Sequence, residues 1–303
     1  LFRSMAIGLA QAMRIISEFK PDVILATGGY VCVPVVLAGS LRRVPSLIYL
    51  PDIAPGLAVK FLSRFAARIA VTFDETKRYL PVNKVVVTGY PVRPELRAVG
   101  RDEGRSRLGL PADGKVILVL GGSRGSKSIN NAVANALDSL LRMAYVVHVC
   151  GTDKATLETL IARRNQLPSD LAERYRIYSY LYEEMGCALA AADLAVSRSG
   201  ASVMGEFPAF NLPGVLVPYP YAGAHQEMNA RYLVREGAAV RLGDDEVAQG
   251  RLPEVLRELL GDEVRLAQMR LNAQRLARPE AASAISDQLR NLAQVRRGGN
   301  DAP

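Results

Sequence analysis

The 303-residue sequence predicts an α/β protein built as two Rossmann-like, doubly wound domains facing a cleft. Three observations predict it. The length exceeds one ordinary core and suits two domains of about 100–200 residues each. Hydrophobic residues make up 49% of the chain, enough for two cores. Short continuous apolar runs alternate with helix-period segments from end to end, and such runs belong to parallel strands buried on both faces.

The first domain is read as residues 1–95. It opens on a helix, Leu1–Phe19, with Phe2, Met5, Leu9, Met13 and Ile16 on one face. Strands follow at Val23–Thr27, Ser46–Leu50, Ile69–Val71 and Lys84–Thr88, with helical segments near Val33–Leu41, Gly56–Phe65 and Glu75–Tyr79. A doubly wound half normally opens on a strand and its Gly-rich loop. Their absence before Leu1 leads us to expect a first domain lacking at least one βα unit of roughly 30 residues at its N-terminus.

Residues 96–112, polar and punctuated by Gly and Pro, read as a linker. The alternation restarts in a second domain, 113–276, with strands at Val116–Leu120, Tyr145–Val149, Tyr175–Ser179, Leu194–Ser197, Gly214–Pro218 and Ala238–Leu242. Each strand is followed by a helix, and six such units complete one doubly wound domain. The tail, 277–303, is a helix that can pack back on the first domain, with a frayed end at Gly-Gly-Asn-Asp-Ala-Pro.

Composition narrows the functions. Cys32, Cys150 and Cys187 lie far apart in apolar runs, and there are only two histidines, His148 and His225. No metal-ligand spacing exists, and the cysteines read as reduced, mostly buried thiols of a cytosolic protein. No run of about 18 apolar residues and no signal peptide is present, so a membrane span is not expected. Residues 1–95 carry 12 Lys and Arg against 6 Asp and Glu, most of the chain's net +8. That imbalance suits anionic lipid or a diphosphate, or is simply a solvated basic surface. Nucleic acid is excluded as a partner, for want of aromatic-interleaved basic stretches or a helix-turn-helix cue.

Four stretches can carry chemistry. Gly121-Gly122-Ser123-Arg124-Gly125 joins a strand to a helix, where backbone amides and the helix N-terminus favour a phosphate; a plain tight turn is the alternative. It is neither a Walker A loop nor a dinucleotide fingerprint. Val196-Ser-Arg-Ser-Gly-Ala-Ser-Val-Met-Gly-Glu206 repeats the device, and Glu206 falls one helical turn after Ser202. Its carboxylate can accept hydrogen bonds from a ribose diol or merely complement a helix dipole. Pro208 should kink or shorten that helix. His225, Gln226 and Asn229 at a helix start suit sugar hydroxyls, or are ordinary capping polarity. Ala26-Thr-Gly-Gly-Tyr30 is a second Gly-pair loop, in the first domain. His148, inside an apolar strand, reads as a core histidine. No Asp-x-Asp occurs, so Mg²⁺ has no carboxylate pair, and diphosphate charge would fall to amides, helix dipoles and Arg198 or Arg93.

Taken in order, these motifs resemble the MurG family of GT-B-fold transferases, members of glycosyltransferase family 28, over nearly the whole chain. The carriers are Pro21-Asp-Val-Ile-Leu-Ala-Thr-Gly-Gly-Tyr30, Pro55-Gly-Leu-Ala58, Val87-Thr-Gly-Tyr-Pro-Val-Arg93, Gly121–Gly125, Ser197–Ser202 with Glu206, and His225-Gln-Glu-Met-Asn229. The resemblance implies an inverting, metal-independent transfer of N-acetylglucosamine from UDP-GlcNAc to lipid I, giving lipid II in peptidoglycan synthesis. It implies no cofactor. It also implies a peripheral enzyme on the cytoplasmic face of the bacterial membrane, touching an anionic membrane surface.

By the same resemblance, Gly121, Gly122 and Ser123 face the donor diphosphate, and the backbone at Leu181 and Tyr182 meets the uracil. Glu206 holds the ribose, and Arg198, Ala201 and Ser202 support the pocket, with His225 beside them. Gln226 and Asn229 reach the N-acetylglucosamine. Gly28, Gly29, Tyr30, Asp52 and Arg93 serve the lipid-linked diphosphate acceptor, and the first helix falls where the family meets the membrane, or else covers the sheet.

Three departures concern the acceptor half. The family's N-terminal Gly-rich loop, with the histidine expected as base or acceptor contact, would precede Leu1, so no catalytic residue is assigned. The family's His-Glu-Gln-Asn reads Tyr49-Leu-Pro-Asp52 here, and Tyr90 stands for Asn. The competing readings are a related transferase with a diacylglycerol-type acceptor and a non-catalytic UDP-sugar-binding module. An epimerase of the same fold fits the motifs less well.

Overall fold

A computed structural model describes residues 2–221 and 225–300, with side chains over 4–221 and 225–298. The chain divides into two compact units, Leu1–Pro91 with Arg278–Pro303, and Val92–Ala277.

The first unit runs α1 (Phe2–Phe19), β1 (Ile24–Ala26), α2 (Cys32–Leu41), β2 (Ser46–Leu50), α3 (Leu57–Leu62), β3 (Arg68–Val71) and β4 (Val85–Val87). The strands form one parallel sheet in the order β1-β2-β3-β4. The helix expected over Glu75–Tyr79 is a 3₁₀ segment, Asp74–Tyr79. Its ends are closed by Thr76 N–H to the Phe73 carbonyl and Leu80 N–H to the Lys77 carbonyl, and Pro81 blocks extension.

The apolar stripe of α1 is core rather than a free surface. Ala12 and Ile16 are buried with Ile24, Ala38 and Val44, and Leu9 and Met13 pack beside them. The Phe2 side chain and Leu1 lie outside the described residues. Ile7, Ile15 and Phe19 remain exposed on the same helix.

The second unit shows no loose linker. Residues 96–112 fall largely in two short helices, α4 (Pro94–Arg97) and α5 (Arg101–Arg107). Packing overrides the local cues. Gly104 is where α5 meets a later helix so closely that a Cβ would lie 2.6 Å from the Cys187 carbonyl oxygen. The Arg105 guanidinium is only 2% exposed and donates to the Gly114 carbonyl and to Asp193. The division between the units falls at Pro91 and Val92, ahead of the boundary at 95 that the turn signals suggested.

Then follow β5 (Val116–Leu120), α6 (Lys127–Asn135), α7 (Leu137–Met143), β6 (Tyr145–Val149), α8 (Lys154–Asn165), α9 (Ser169–Ala172), β7 (Tyr175–Tyr178), α10 (Met185–Ala191), β8 (Leu194–Ser197), α11 (Val203–Ala209), β9 (Gly214–Leu216), α12 (His225–Arg235) and β10 (Ala239–Arg241). Three helices, α13 (Asp244–Ala248), α14 (Leu252–Gly261) and α15 (Glu263–Leu276), close the unit. The sheet is parallel throughout, in the order β10-β9-β8-β5-β6-β7. Its strands are buried on both faces, with Val116, Ile117, Leu118, Leu194, Ala195 and Val196 all fully enclosed.

Chain direction across the sheet reverses between β5 and β8, whose last residues, Leu120 and Ser197, lie side by side. Crevices at such a switch point are where doubly wound sheets bind ligands.

The last helix, α16 (Ala281–Asn300), returns to the first unit. Ile285, with Leu289 and Leu292, packs on Leu47, Tyr49, Ala70 and Tyr90. The fraying expected from Gly298 does not occur through Asn300, which is still helical. Asp301–Pro303 lie outside the described residues.

Candidate functional site

A cavity of about 990 Å³ opens at the β5/β8 switch point. Two strand-to-helix loops build most of it. The first is Gly121–Gly125, whose Gly122 and Gly125 adopt φ of +81° and +75°. At Gly125 a Cβ would overlap the Cys150 carbonyl, so glycine is required both by conformation and by space. The loop closes on a Gly125 N–H to Gly122 carbonyl bond of 2.9 Å and feeds α6, capped by Ser126. Positive-φ glycines followed by a helix start present backbone donors and a partial positive charge to an anion.

The second loop runs from Ser197 to Ser202 and ends in α11. Glu206 sits one turn in, its N–H bonded to the Ser202 carbonyl at 2.8 Å. Burial raises the Glu206 carboxyl above its usual range, outweighing the Ser202 hydroxyl bond and the positive charge of Arg93. Pro208 removes one helical donor, and α11 ends one residue later at Ala209. The loop is tied down from α12: the Asn229 amide donates to the Ser199 carbonyl at 3.1 Å, and the Ser199 hydroxyl donates to the Gln226 carbonyl at 2.8 Å.

Of the donor residues expected from sequence, Gly121, Gly122, Ser123, Leu181, Arg198, Ser202, Glu206 and Gln226 line this cavity together. Ala201, Tyr182, His225 and Asn229 do not. Asn229 is fully buried, and its amide donates to the Ser199 carbonyl. Tyr182 is 75% exposed and packs against Tyr180 with the rings tilted by 55° and 4.6 Å between centroids, and it is Tyr180 that lines the cavity.

Both cations that the sequence offered for diphosphate charge line this cavity. Arg198 lines the cavity, but its guanidinium is engaged: it pairs with Asp244 at 2.6 Å, donates to Ser128 Oγ at 2.9 Å and reaches the Val217 and Pro218 carbonyls. It also lies over the Tyr219 ring. A cation so neutralised adds little net charge for a diphosphate. Arg93, grouped by sequence with the acceptor residues, lines this same cavity near Glu206. Arg124 and Lys127, both exposed at the first loop, complete its basic lining. Arg124 stands inside the quoted glycine motif and Lys127 two residues after it, and a basic side chain beside a phosphate loop is itself a signal. Asp244, Tyr219 and Met185 come from distant segments and left no local signal.

The acceptor-side residues of the first unit follow β1. Gly28 and Gly29 have φ of +96° and +78°, and the Cys32 thiol at the start of α2 donates to the Gly28 carbonyl at 2.7 Å. Tyr30 and Val31 project into solvent, 69% and 84% exposed. Asp52 lies half-buried just beyond the end of β2. No group of His, Cys, Asp and Glu among the described residues could hold a metal ion.

Residues 116–286 match the glycosyltransferase family 28 C-terminal domain, and residues 2–71 match the glycosyltransferase family 28 N-terminal domain. A protein of Roseiflexus sp. (strain RS-1) is 42% identical over 95% of this chain and 73% of its own length. It is named a UDP-N-acetylglucosamine–N-acetylmuramyl-(pentapeptide) pyrophosphoryl-undecaprenol N-acetylglucosamine transferase. The crystal structure of Acinetobacter baumannii MurG superposes with a TM-score of 0.72 at 28% identity, covering 93% of this chain and 77% of that one. The UDP-GlcNAc 2-epimerase of Neisseria meningitidis, solved with UDP-GlcNAc, has a TM-score of 0.68 at 14% identity over 95% of this chain and 81% of its own, a likeness of fold alone.

Proposed function

This chain belongs to glycosyltransferase family 28, and from that premise we propose how its residues serve the reaction of its MurG relatives. The reaction is transfer of N-acetylglucosamine from UDP-GlcNAc to the undecaprenyl-diphosphate-linked muramyl acceptor, lipid I, in peptidoglycan synthesis. The observation that carries the site assignment is the joining of the Gly121–Gly125 loop and Glu206 in one cavity at the switch point of the second sheet.

In our reading the diphosphate lies on the Gly121–Gly125 loop and the α6 N-terminus. Its charge is met by Arg93, Arg124 and Lys127, because Arg198 is held by Asp244. Glu206 accepts hydrogen bonds from the ribose hydroxyls. The uracil enters between Leu181 and the exposed ring of Tyr180, and Gln226 reaches toward the sugar. The acceptor hydroxyl attacks the anomeric carbon from the face opposite UDP and inverts it. Backbone donors and a helix N-terminus stabilise charge growing on the leaving diphosphate. Proton removal is assigned to no residue among those described.

The acceptor meets the first unit at Gly28–Tyr30, with Asp52 nearby. Val59 of α3 lies 3.5 Å from where a Gly28 Cβ would be, so that loop and α3 are neighbours. Around them Tyr30, Val31, Leu57, Phe61 and Phe65 are exposed, alongside the basic Lys60 and Arg64. We place the contact with an anionic membrane surface, at the cytoplasmic face, on this apolar and basic end. No helix among the described residues is long and apolar enough to cross a membrane.

UDP-GlcNAc is expected to raise the melting temperature without added Mg²⁺, and Glu206→Ala to abolish the shift. Absence of a shift with every UDP-sugar tested would sink the donor assignment. Turnover of lipid I against a diacylglycerol acceptor tests the acceptor.

A further inference from the structure

Beneath the Gly121–Gly125 loop lies a buried polar chain that the transfer chemistry does not use. Tyr175, His148 and Asn130 are all at most 3% exposed and come from β7, β6 and α6. His148 Nδ1 is 2.7 Å from the Tyr175 hydroxyl, and His148 Nε2 is 2.9 Å from Asn130 Oδ1. The Asn130 amide nitrogen donates to the Cys150 carbonyl at 2.8 Å.

The proton positions follow from that last bond. A carbonyl only accepts, so the amide presents its N–H₂ to Cys150 and its oxygen to His148. Nε2 therefore carries the imidazole proton, and Nδ1 accepts from Tyr175. Burial drives the His148 pKa down to about 3, which keeps the ring neutral and the single direction of donation intact. The chain thus runs Tyr175 O–H to His148, His148 N–H to Asn130, Asn130 N–H to the Cys150 carbonyl. Hydrogen bonds so aligned reinforce one another in a low-dielectric core.

The end of the chain is the part that bears on function. The Cys150 carbonyl is the oxygen that a Cβ on Gly125 would overlap, and Gly151 is pressed against Arg124 and Gly125 in the same way, a Cβ there falling 2.5 Å from the Arg124 carbonyl oxygen. Asn130 also belongs to α6, and its N–H bonds the Ser126 carbonyl at 2.8 Å, just after the loop. One side chain therefore fixes both the floor under Gly125 and the helix that Gly125 leads into.

We infer that Asn130, oriented by His148 and Tyr175, is a positioning residue for the donor diphosphate, setting the Gly121–Gly125 loop through the Cys150 carbonyl. The inference rests on the donor reading above in one respect only, that the loop holds the diphosphate.

The test compares UDP with uridine, which lacks the diphosphate, on Asn130→Ala and on the milder Tyr175→Phe, in the 303-residue chain. Removing one partner of a buried hydrogen bond predicts that Asn130→Ala weakens UDP binding about tenfold and Tyr175→Phe about threefold, with uridine changed less than about twofold. Amide hydrogen exchange over Gly121–Gly125 should quicken in the same order, while β2 of the first unit is unaffected. Equal weakening of UDP and uridine would overturn the proposal, as would a lowered melting temperature with unaltered binding and exchange. If Asn130→Ala does not fold, Tyr175→Phe decides by the same ratio. If the parent chain binds neither compound, the donor reading fails, and loop exchange alone decides whether the chain of bonds positions the loop.

Discussion

Arg198 and Asp244 sit opposite each other on the wall of the switch-point cavity, 11% and 29% exposed, and each limits what the other can do. With the donor bound as proposed, removing Arg198 alone leaves a carboxylate facing its diphosphate. Arg198→Ala is therefore expected to weaken UDP binding more than the double variant Arg198→Ala/Asp244→Ala, with a coupling of about 1–3 kcal/mol in a double-mutant cycle. Additive effects, measured by calorimetric titration, would show that Arg198 acts on the donor directly. Glu206 makes stability depend on pH. Its pKa is raised in the fold chiefly by burial, so the folded state binds the proton more tightly than the unfolded chain. That contribution to stability is fully present below the ordinary glutamate pKa of about 4.3 and is lost as pH rises through the higher folded value. Glu206→Gln should accordingly melt at or above the parent temperature at pH 7, the difference closing in acid, while losing uridine binding. A variant less stable at pH 7 would contradict the burial argument. Both residues show what local sequence conveys: Glu206 stands in its own motif, whereas Asp244 lies 46 positions from its partner and meets it only through the sheet.

Among the elements, the buried ion cluster at Asp193 decides how α5 is held. Asp193, 4% exposed, accepts from Arg101 at 2.7 Å, Arg105 at 3.1 Å, Arg270 at 2.5 Å and the Val116 N–H at 2.9 Å. Stripping the carboxylate removes the bonded counter-charge of the enclosed Arg105 guanidinium, and breaking such a buried pair typically costs about 3–5 kcal/mol. Asp193→Ala should show that loss in urea unfolding of the second unit, and a loss under about 1 kcal/mol would mean that the carbonyl contacts of Arg105 suffice. The same cluster explains why α5 was illegible in the sequence. Arg-Asp-Glu-Gly-Arg-Ser-Arg has the polarity and the glycine of a loop, and only the close approach of α10 at Gly104 and the burial of Arg105 make it an element. The strands were legible for the opposite reason. Val116–Leu120, Tyr145–Val149, Leu194–Ser197 and Ser46–Leu50 are continuous apolar runs because their sheets are covered on both faces, and the structure keeps those bounds. Strands at sheet edges and corners, such as Ile24–Ala26 and Ala239–Arg241, are shorter than their apolar runs because pairing ends before the hydrophobicity does.

For the whole molecule the net charge of +8 governs which surfaces it approaches. Most of that excess lies in the first 95 residues, the segment that also exposes Val31, Leu57, Phe61 and Phe65. Basic residues draw a protein to an anionic bilayer at about 1 kcal/mol for each one near the surface, an attraction that salt screens. Exposed aromatic side chains add a salt-insensitive part by entering the interface. The two contributions can be separated. The chain should co-sediment with phosphatidylglycerol-containing vesicles and bind neutral ones weakly, and raising NaCl from about 0.05 to about 0.5 M should remove most of the anionic preference. Phe61→Ser/Phe65→Ser should leave the salt dependence in place while lowering affinity at every salt concentration. Because Phe61 and Phe65 lie in the first unit, the same variant should keep the full UDP-GlcNAc thermal shift. Equal binding to neutral and anionic vesicles would remove the charge from the argument. Unchanged affinity in the double serine variant would move the membrane contact away from α3, toward the exposed Ile7, Ile15 and Phe19 of α1.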